Sequence, residues 1–289
     1  MEKRISNIVM LPNLSKNIFG QRIESVANRF IELGCRIGVS KEYTKEYGIP
    51  KNCYEFEPES CECDAFLVLG GDGSMIEAAH YTMGTRIPVV GMNFGHLGYL
   101  TELAEDDSEE LKKLVLGEYE VDERMMLTAE ICDGYGNVRT SFTVLNDIVL
   151  NNGPVSRMIS FDLFADGVKV QTLRADGLIA ATPTGSTAYS LSAGGPVIDP
   201  RLRGICVTPI CAHSLGIRPI VFGEDSQIRI LNFYRNSSSV FINADGRDVA
   251  EIEEGDVINI RKSSEVFRLI RLRPYGFLSV LDRKLSGRS

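Results

Sequence analysis

Gly70-Gly71-Asp72-Gly73 sets a carboxylate among glycines directly after the apolar run Ala65-Phe66-Leu67-Val68-Leu69, and Ser74 to His80 follow as a stretch compatible with a helix. A glycine-rich turn between a buried strand and a helix can cradle phosphate. The glycines let the backbone approach the anion, and the helix start aims free N–H groups at it. At the carboxyl end of a parallel strand, such a turn sits where open α/β sheets bind ligands. It is not a Walker A loop, since no Gly-Lys-Ser/Thr follows, and Ile76 takes the third glycine position of the dinucleotide fingerprint. Read alone, the four residues also fit an ordinary tight turn. Asp72 gives them interest, because a carboxylate beside phosphate is repelled unless it has a task. It could accept the proton of an attacking hydroxyl or help hold a magnesium ion. A carboxylate is a weak base for an alcohol, but phosphoryl transfer is largely dissociative. The proton can leave late, and orientation matters more than basicity.

Two further segments carry polar groups that need partners. Asn146-Asp147 interrupts the strand-like run Phe142 to Leu150. Burying the pair unpartnered would cost roughly a few kcal/mol. Either the backbone satisfies them at a bulge or edge, or an amide and a carboxylate together recognise a base and a sugar hydroxyl. The second segment runs from Arg174 to Pro200, and between Thr182 and Gly195 it is dense in glycine and small hydroxylated residues. It has little side chain for a core but many donors and acceptors, with room for a flat ring against the backbone. Leu178-Ile179, Tyr189, Leu191 and the prolines argue against a free linker.

The elements that must position these groups divide the chain into halves. Ile8 to Leu11, Arg36 to Val39, Ala65 to Leu69 and Ile87 to Val90 read as strands. Ile23, Val26, Phe30 and Leu33 mark a helix over 19–33 that Gly34 stops. Strand, helix, strand in alternation predicts a parallel sheet with crossover helices. From about Met125 the pattern changes to short β-rich runs. Asp133-Gly134-Tyr135-Gly136-Asn137 and Asp166-Gly167 separate such runs as hairpin turns, and Val240 to Ile242 and Val257 to Ile260 continue the style. A β-sandwich-like second domain is the simplest reading. Phe277, Leu278, Leu281 and Leu285 suggest a closing amphipathic helix.

Composition bounds the function. The 289 residues are 44% hydrophobic and 24% charged, the balance of a globular protein that buries an ordinary core. A net charge of −8 excludes a partner that needs a basic surface, so no nucleic acid is expected. The opening residues lack the long apolar region of a signal peptide, and no stretch approaches a membrane span, so a cytoplasmic location and no membrane partner are expected. Seven scattered cysteines are read as reduced thiols. Cys53, Cys61 and Cys63 form only a loose cluster, with no Cys-x-x-Cys pair and three histidines in the chain, so no metal ligand is assigned.

With these segments together, the chain resembles the NAD kinase family. The resemblance rests on Gly70 to Gly73, Gly91-Met92-Asn93-Phe94-Gly95-His96-Leu97-Gly98-Tyr99-Leu100, Asn146-Asp147, Asp176 to Pro196, Thr208-Pro209-Ile210, His213 and Arg218-Pro219. It is strong over about 65–220, and the 174–196 segment is its most specific part. It implies an α/β + β fold: a Rossmann-like α/β domain over 1–124, an all-β sandwich-like domain over 125–268, and a segment over 269–289 that returns to the first domain. The implied reaction transfers a phosphoryl group from ATP or polyphosphate, with Mg2+ or another divalent cation, to the adenosine-ribose 2′-hydroxyl of NAD. NAD would lie in the cleft between domains, completed by a neighbouring subunit of a homodimer or homotetramer.

The same resemblance distributes roles. Asp72 becomes the proton acceptor, with Gly73 beside it. Asn146 and Asp147 contact the adenosine part, and Arg174 and Asp176 handle the other half of the dinucleotide. Thr187, Ala188, Tyr189, Ser190, Leu191 and Ser192 wrap the adenine, with Tyr189 as a stacking face. Cys211 falls where the family has a small residue by the ligand, and Arg157 joins the NAD-contacting set. Two positions depart from the pattern. Glu77 stands where many members have a basic residue, so no phosphate role is carried over to it. Arg247 stands where glutamine is common, and both a phosphate contact and a solvated turn position stay open. Rival readings are a lipid kinase of the same superfamily, which should lack the Thr184-Gly185-Ser186-Thr187-Ala188-Tyr189 segment, and a non-catalytic NAD(P)-binding sensor, against which intact Asp72 argues. A dehydrogenase lacks support because its dinucleotide fingerprint is missing.

Overall fold

The computed structural model describes residues 2–13, 20–57, 62–95, 98–152, 158–214, 216–233, 240–253, 255–273 and 276–286. The chain forms two compact units, one of Met1–Glu123 with Phe267–Ser289, the other of Arg124–Val266.

The first unit is α/β. Its elements are β1 (Asn7–Pro12), α1 (Gly20–Glu32), β2 (Arg36–Ser40), α2 (Lys41–Tyr47), β3 (Tyr54–Phe56), β4 (Ala65–Leu69), α3 (Asp72–Tyr81), β5 (Val89–Asn93), β6 (Leu103–Ala104) and α4 (Ser108–Leu116). The parallel strands lie in the order β3-β2-β1-β4-β5, the Rossmann-like order, in which direction reverses between β1 and β4. Every residue of β4 is buried, as its unbroken apolar run requires of a strand covered on both faces. Ile8, Met10, Leu67, Leu69, Val90 and Met92 form the core with Ile23, Val26 and Phe30 of α1. Gly34, at φ 87°, ends that helix in a conformation costly for other residues. The β1–β4 pairing is anchored at its head by Asp64, whose carboxylate accepts the N–H groups of Ser6 and Asn7 at 2.8 and 2.9 Å, the Ser6 hydroxyl and the Lys3 ammonium. Burial alone would raise this carboxyl, but Lys3, Ser6 and Asn7 outweigh it and hold it at about 2.

The second unit is β-rich. Its elements are β7 (Glu120–Cys132, which leads into it), β8 (Val138–Val144), β9 (Asp147–Asn152), β10 (Ile159–Ala165), β11 (Val168–Ala175), β12 (Gly177–Ala181), a 3-10 turn at Gly185–Thr187, α5 (Tyr189–Ser192), β13 (Gly204–Ile210), β14 (Ile220–Gly223), β15 (Ile228–Phe233), β16 (Val240–Ala244) and β17 (Arg247–Ile252). β18 (Val257–Arg271) begins here beside β15 and ends in the first unit, where Leu269 pairs with Val89; α6 (Phe277–Leu285) follows there. One sheet runs β14-β13-β12-β9-β16-β17, and β11-β10-β15-β18 with the β7-β8 hairpin makes the other face of a sandwich. Leu127, Ile148, Leu150, Phe161, Leu178, Val207, Ile230 and Ile258 fill the space between the sheets. Asp166 and Gly167, at φ 52° and 79°, make the hairpin turn between β10 and β11.

Three readings change. The strand expected over 87–90 is β5 at Val89–Asn93, because Pro88 has no N–H for the ladder. Pairing instead continues through Gly91, where a Cβ would stand 2.6 Å from the Met75 sulfur. The run 142–150 is two strands rather than one, with β9 in the sheet that runs from β14 to β17 and β8 in the opposite sheet, so Leu145 and Asn146 form a corner. On α6, Phe277 is buried but Leu278 and Leu285 are exposed, so its apolar face is narrower than the leucine spacing suggests. Among the described residues no helix is long and apolar enough to cross a membrane.

Because Asp64 accepts four hydrogen-bond donors at the edge of the core, Asp64→Ala is expected to destabilise the chain by about 2 kcal/mol. The fall should be seen as a lower thermal midpoint at neutral pH. Lys3→Ala removes only an exposed partner and should leave that midpoint nearly unchanged. Since the carboxyl is held below its ordinary value of 3.8, its contribution is present above that pH and lost as pH falls through about 2.

Candidate active site

Asp72 is the first residue of α3, in the turn that leaves the carboxyl end of β4. Its place follows from the switch point. Asn13, just past β1, donates its backbone N–H to the Leu69 carbonyl at 3.2 Å and its side-chain amide to the Ser74 hydroxyl at 2.7 Å. Gly70 donates to the Met92 carbonyl, and a side chain there would run into Ser74. The Asp72 carboxylate is held from the loop after β5: Tyr99 donates its N–H to Oδ2 and Leu100 donates to Oδ1, each at 3.0 Å. Gly98 is required for this approach, since a Cβ would collide with the carboxylate. Lys284 of α6 lies 3.4 Å from Oδ2. Gly73, next to Asp72, is exposed, and a Cβ there would meet nothing. Glu77 lies one turn further along α3 and is also exposed.

In sequence, residue type marked this part of the site only at Gly70 to Gly73, and Gly98 to Leu100 entered only as part of the motif that carries the family resemblance, with no role given to them. Lys284 gave no signal. A resident metal ion does not fit Asp72. Its oxygens already accept two N–H groups and face an ammonium, surroundings that disfavour a cation. Among the described residues no group of three His, Cys, Asp or Glu side chains could hold a metal.

In the second unit, the corner at 145–147 is held by Asp245. Its carboxylate accepts the N–H groups of Leu145, Asn146 and Asp147 at 2.8, 2.7 and 3.1 Å, and its own N–H donates to the Asp147 carbonyl. Asp245 and Gly246, at φ 49° and 79°, form the turn between β16 and β17, which leaves Arg247 exposed beside it. From the other side, Thr182 donates its N–H to the Asn146 carbonyl and its hydroxyl to the Leu145 carbonyl, at 2.8 and 2.6 Å. Gly185 packs so closely on Asn146 that a Cβ would strike its carbonyl.

The small residues after Thr182 are therefore core-forming rather than spare donors. Thr182, Ser186 and Ser190 have no exposed surface. Ser186 bonds across to Ile198, and the Ser190 and Thr208 hydroxyls pair at 2.9 Å. This segment covers the outer face of the sheet, over Val149, Ile179 and Ala181. What it leaves accessible is Thr187, Ala188, Leu191, Ser192 and the ring of Tyr189, which is 47% exposed.

Two side chains at this corner stand out. The Asn146 side-chain oxygen is buried and has no hydrogen-bond partner. Asp147 is buried, and that burial, with Asp245 nearby, pushes its carboxyl up to about 7 against the Tyr189 N–H. Near neutral pH it can both donate and accept, which suits a sugar hydroxyl or a base edge.

Arg174, Asp176 and Cys211 gather at the opposite end of the same strands. Asp176 donates to the Ile210 carbonyl and His213 to the Arg174 carbonyl, each at 2.9 Å, and Cys211 takes φ 48° between them. In register, Ala181 faces Asp147 and Gly177 faces Asn151. The two groups of residues are thus about 13 Å apart along β12, the scale of an extended dinucleotide. Arg157 lies outside the described residues.

The raised Asp147 carboxyl generates a pH prediction. A group raised in the folded state contributes stability below its unfolded value, near 3.8, which is lost as pH rises through about 7. Chemical denaturation should therefore show stability falling between about pH 4 and pH 7, by on the order of a few kcal/mol. Asp147→Asn should flatten that fall; an identical pH dependence in the variant would contradict the assignment.

Family models match the chain in two segments. The ATP-NAD kinase N-terminal domain model matches residues 10–119, and the ATP-NAD kinase C-terminal domain model matches 145–272. A NAD kinase of Geobacter sp. (strain M21) is 42% identical over 227 residues, 78% of each chain. One from Caldanaerobacter subterraneus subsp. tengcongensis is 36% identical over 285 residues, 98% of this chain and 100% of its own. In fold, the chain is similar to a yeast NADH kinase complexed with NADH, at a TM-score of 0.85 and 24% identity, covering 99% of this chain and 89% of that one. It is also similar to a NAD kinase from Archaeoglobus fulgidus in complex with ATP, at a TM-score of 0.73 and 24% identity, covering 98% and 100%. The chain belongs to the ATP-NAD kinase family.

Proposed function

We propose that this chain is the enzyme that phosphorylates NAD, transferring the γ-phosphoryl group of ATP to the adenosine-ribose 2′-hydroxyl to give NADP and ADP. Family membership over both units supports the reaction, and the observation that carries the mechanism is the fixed carboxylate of Asp72 at the end of β4. The 2′-oxygen attacks the γ-phosphorus as the bond to the β–γ bridging oxygen breaks, and the hydroxyl proton passes to Asp72. Because bond breaking leads, the carboxylate serves chiefly to orient the hydroxyl and to take its proton late.

The remaining residues bind NAD. Asn146 and Asp147 take the adenosine part, for which the unpartnered amide oxygen and the raised carboxyl are the support. Tyr189 stacks on the adenine, with Thr187, Ala188, Leu191 and Ser192 around it; Ser190 contributes through its backbone, since its hydroxyl is spent on Thr208. Arg174, Asp176 and Cys211 take the other half of the dinucleotide, supported by the spacing along β12. Arg157 and Arg247 complete the set as cations for the phosphates. ATP is the donor by analogy with the Archaeoglobus relative, and Mg2+ arrives on its phosphates as part of the substrate. A homodimer or homotetramer in the cytoplasm completes the proposal, resting on the family resemblance and the scattered cysteines. A lipid kinase is not favoured, because both family models matched are those of ATP-NAD kinases.

The test is NADP formation by the purified chain from NAD, ATP and Mg2+, read by a dehydrogenase that accepts only NADP, with polyphosphate as a second donor and NADH as a second acceptor. A Mg2+-dependent signal is expected. Binding of NAD with no product from either donor would favour a sensor instead. Tyr189→Ala should weaken NAD binding by about 10-fold, the scale of one aromatic stacking contact. Gly73→Ala should fold normally, since its Cβ meets no protein atom, yet lose turnover if NAD or phosphate approaches the backbone there. Full turnover would show that nothing does.

A further inference from the structure

We propose that Lys284, on the last helix, is a positioning residue for Asp72 and that it leaves Oδ1 as the oxygen that receives the proton. The inference rests on the reading of Asp72 as proton acceptor. The Lys284 ammonium stands 3.4 Å from Asp72 Oδ2 and 4.2 Å from the centre of the Tyr99 ring. That ring packs against Phe277, with centroids 5.7 Å apart. Phe277 and Lys284 are two turns apart on α6 and so share a face, and that face meets Tyr99. Tyr99 thus joins both restraints, since its backbone N–H donates to Oδ2 while its ring supports the ammonium that faces the same oxygen.

Counting acceptor sites separates the two oxygens. A carboxylate oxygen has two lone-pair directions. On Oδ2 both are taken, by Tyr99 and Lys284. On Oδ1 one is taken, by Leu100, and among the described residues no donor takes the other, which leaves it for the hydroxyl. The cation also answers the electrostatic difficulty of setting a carboxylate beside phosphates, because it offsets the charge that would repel them. The pair is not there for stability. Its side chains are 42% and 28% exposed, and ion pairs so exposed contribute little to folding. Its effect should therefore appear in turnover.

The experiment measures kcat, KM for NAD and thermal midpoint for Lys284→Gln, Lys284→Arg and Asp72→Asn in parallel. Lys284→Gln should lower kcat by about 10- to 100-fold, as a misaligned catalytic group does, with KM for NAD and midpoint unchanged. Lys284→Arg should restore most of that loss. Wild-type kcat in Lys284→Gln, with Asp72→Asn inactive, overturns this inference and leaves the role of Asp72 intact. Equal losses in both lysine variants with a lowered midpoint also overturn it, as a structural role. Wild-type kcat in Asp72→Asn overturns the reading beneath it, whatever Lys284→Gln does.

Discussion

In its proposed role beside phosphates, the Asp72 carboxylate must be fixed by donors that the anions cannot displace, and the backbone N–H groups of Tyr99 and Leu100 hold it. Much of the first unit follows from that requirement. The loop after β5 has to reach the turn after β4, which places both at the carboxyl ends of adjacent parallel strands. Gly98 has to lack a side chain. Asp72 gains further from its position at the start of α3, where the helix dipole favours negative charge. The strand order, which reverses between β1 and β4, opens the crevice in which such a group can meet a ligand.

The second unit meets a different constraint, that of holding polar backbone at a corner without filling the space in front of it. Large side chains would satisfy the packing and obstruct the ligand. Glycine, serine and threonine satisfy it with hydroxyl-to-carbonyl bonds instead, as Thr182 does at Leu145 and Ser186 at Ile198. Asp245 supplies the charge-assisted bonds that close the corner from the far side. The Asn146 amide oxygen and the Tyr189 ring remain outside this network, and the Asp147 carboxyl meets only the Tyr189 N–H; these are the groups proposed to meet the ligand.

The fold class was legible because its signals are local: the apolar run of β4, the helical spacing of α1 and the Asp-Gly turn at 166–167 each report on their own neighbourhood. The glycine turn at 70–73 was legible as a strand-to-helix turn for the same reason. Interactions between distant segments were not. Asp245 drew no reading of its own from sequence, where only its neighbour Arg247 was considered, and nothing there names Leu145 to Asp147 as its partners. The 182–195 segment read as a source of donors because composition shows which groups exist and not which are already paired. Asn146-Asp147 read as a break within one strand, whereas it is the corner between strands of two sheets. Pattern cannot distinguish these until the pairing of β8 with β7, and of β9 with β12 and β16, is known.

The most direct test of the central claim sets turnover beside NAD affinity in Asp72→Asn, with affinity measured by calorimetry. Asparagine keeps the shape of the side chain and removes its capacity to take a proton. Proton acceptance by Asp72 predicts NAD binding at wild-type affinity with turnover reduced by about 100-fold or more, the scale of a lost general base. Turnover at the wild-type rate would contradict it, and would move the chemistry away from the turn after β4.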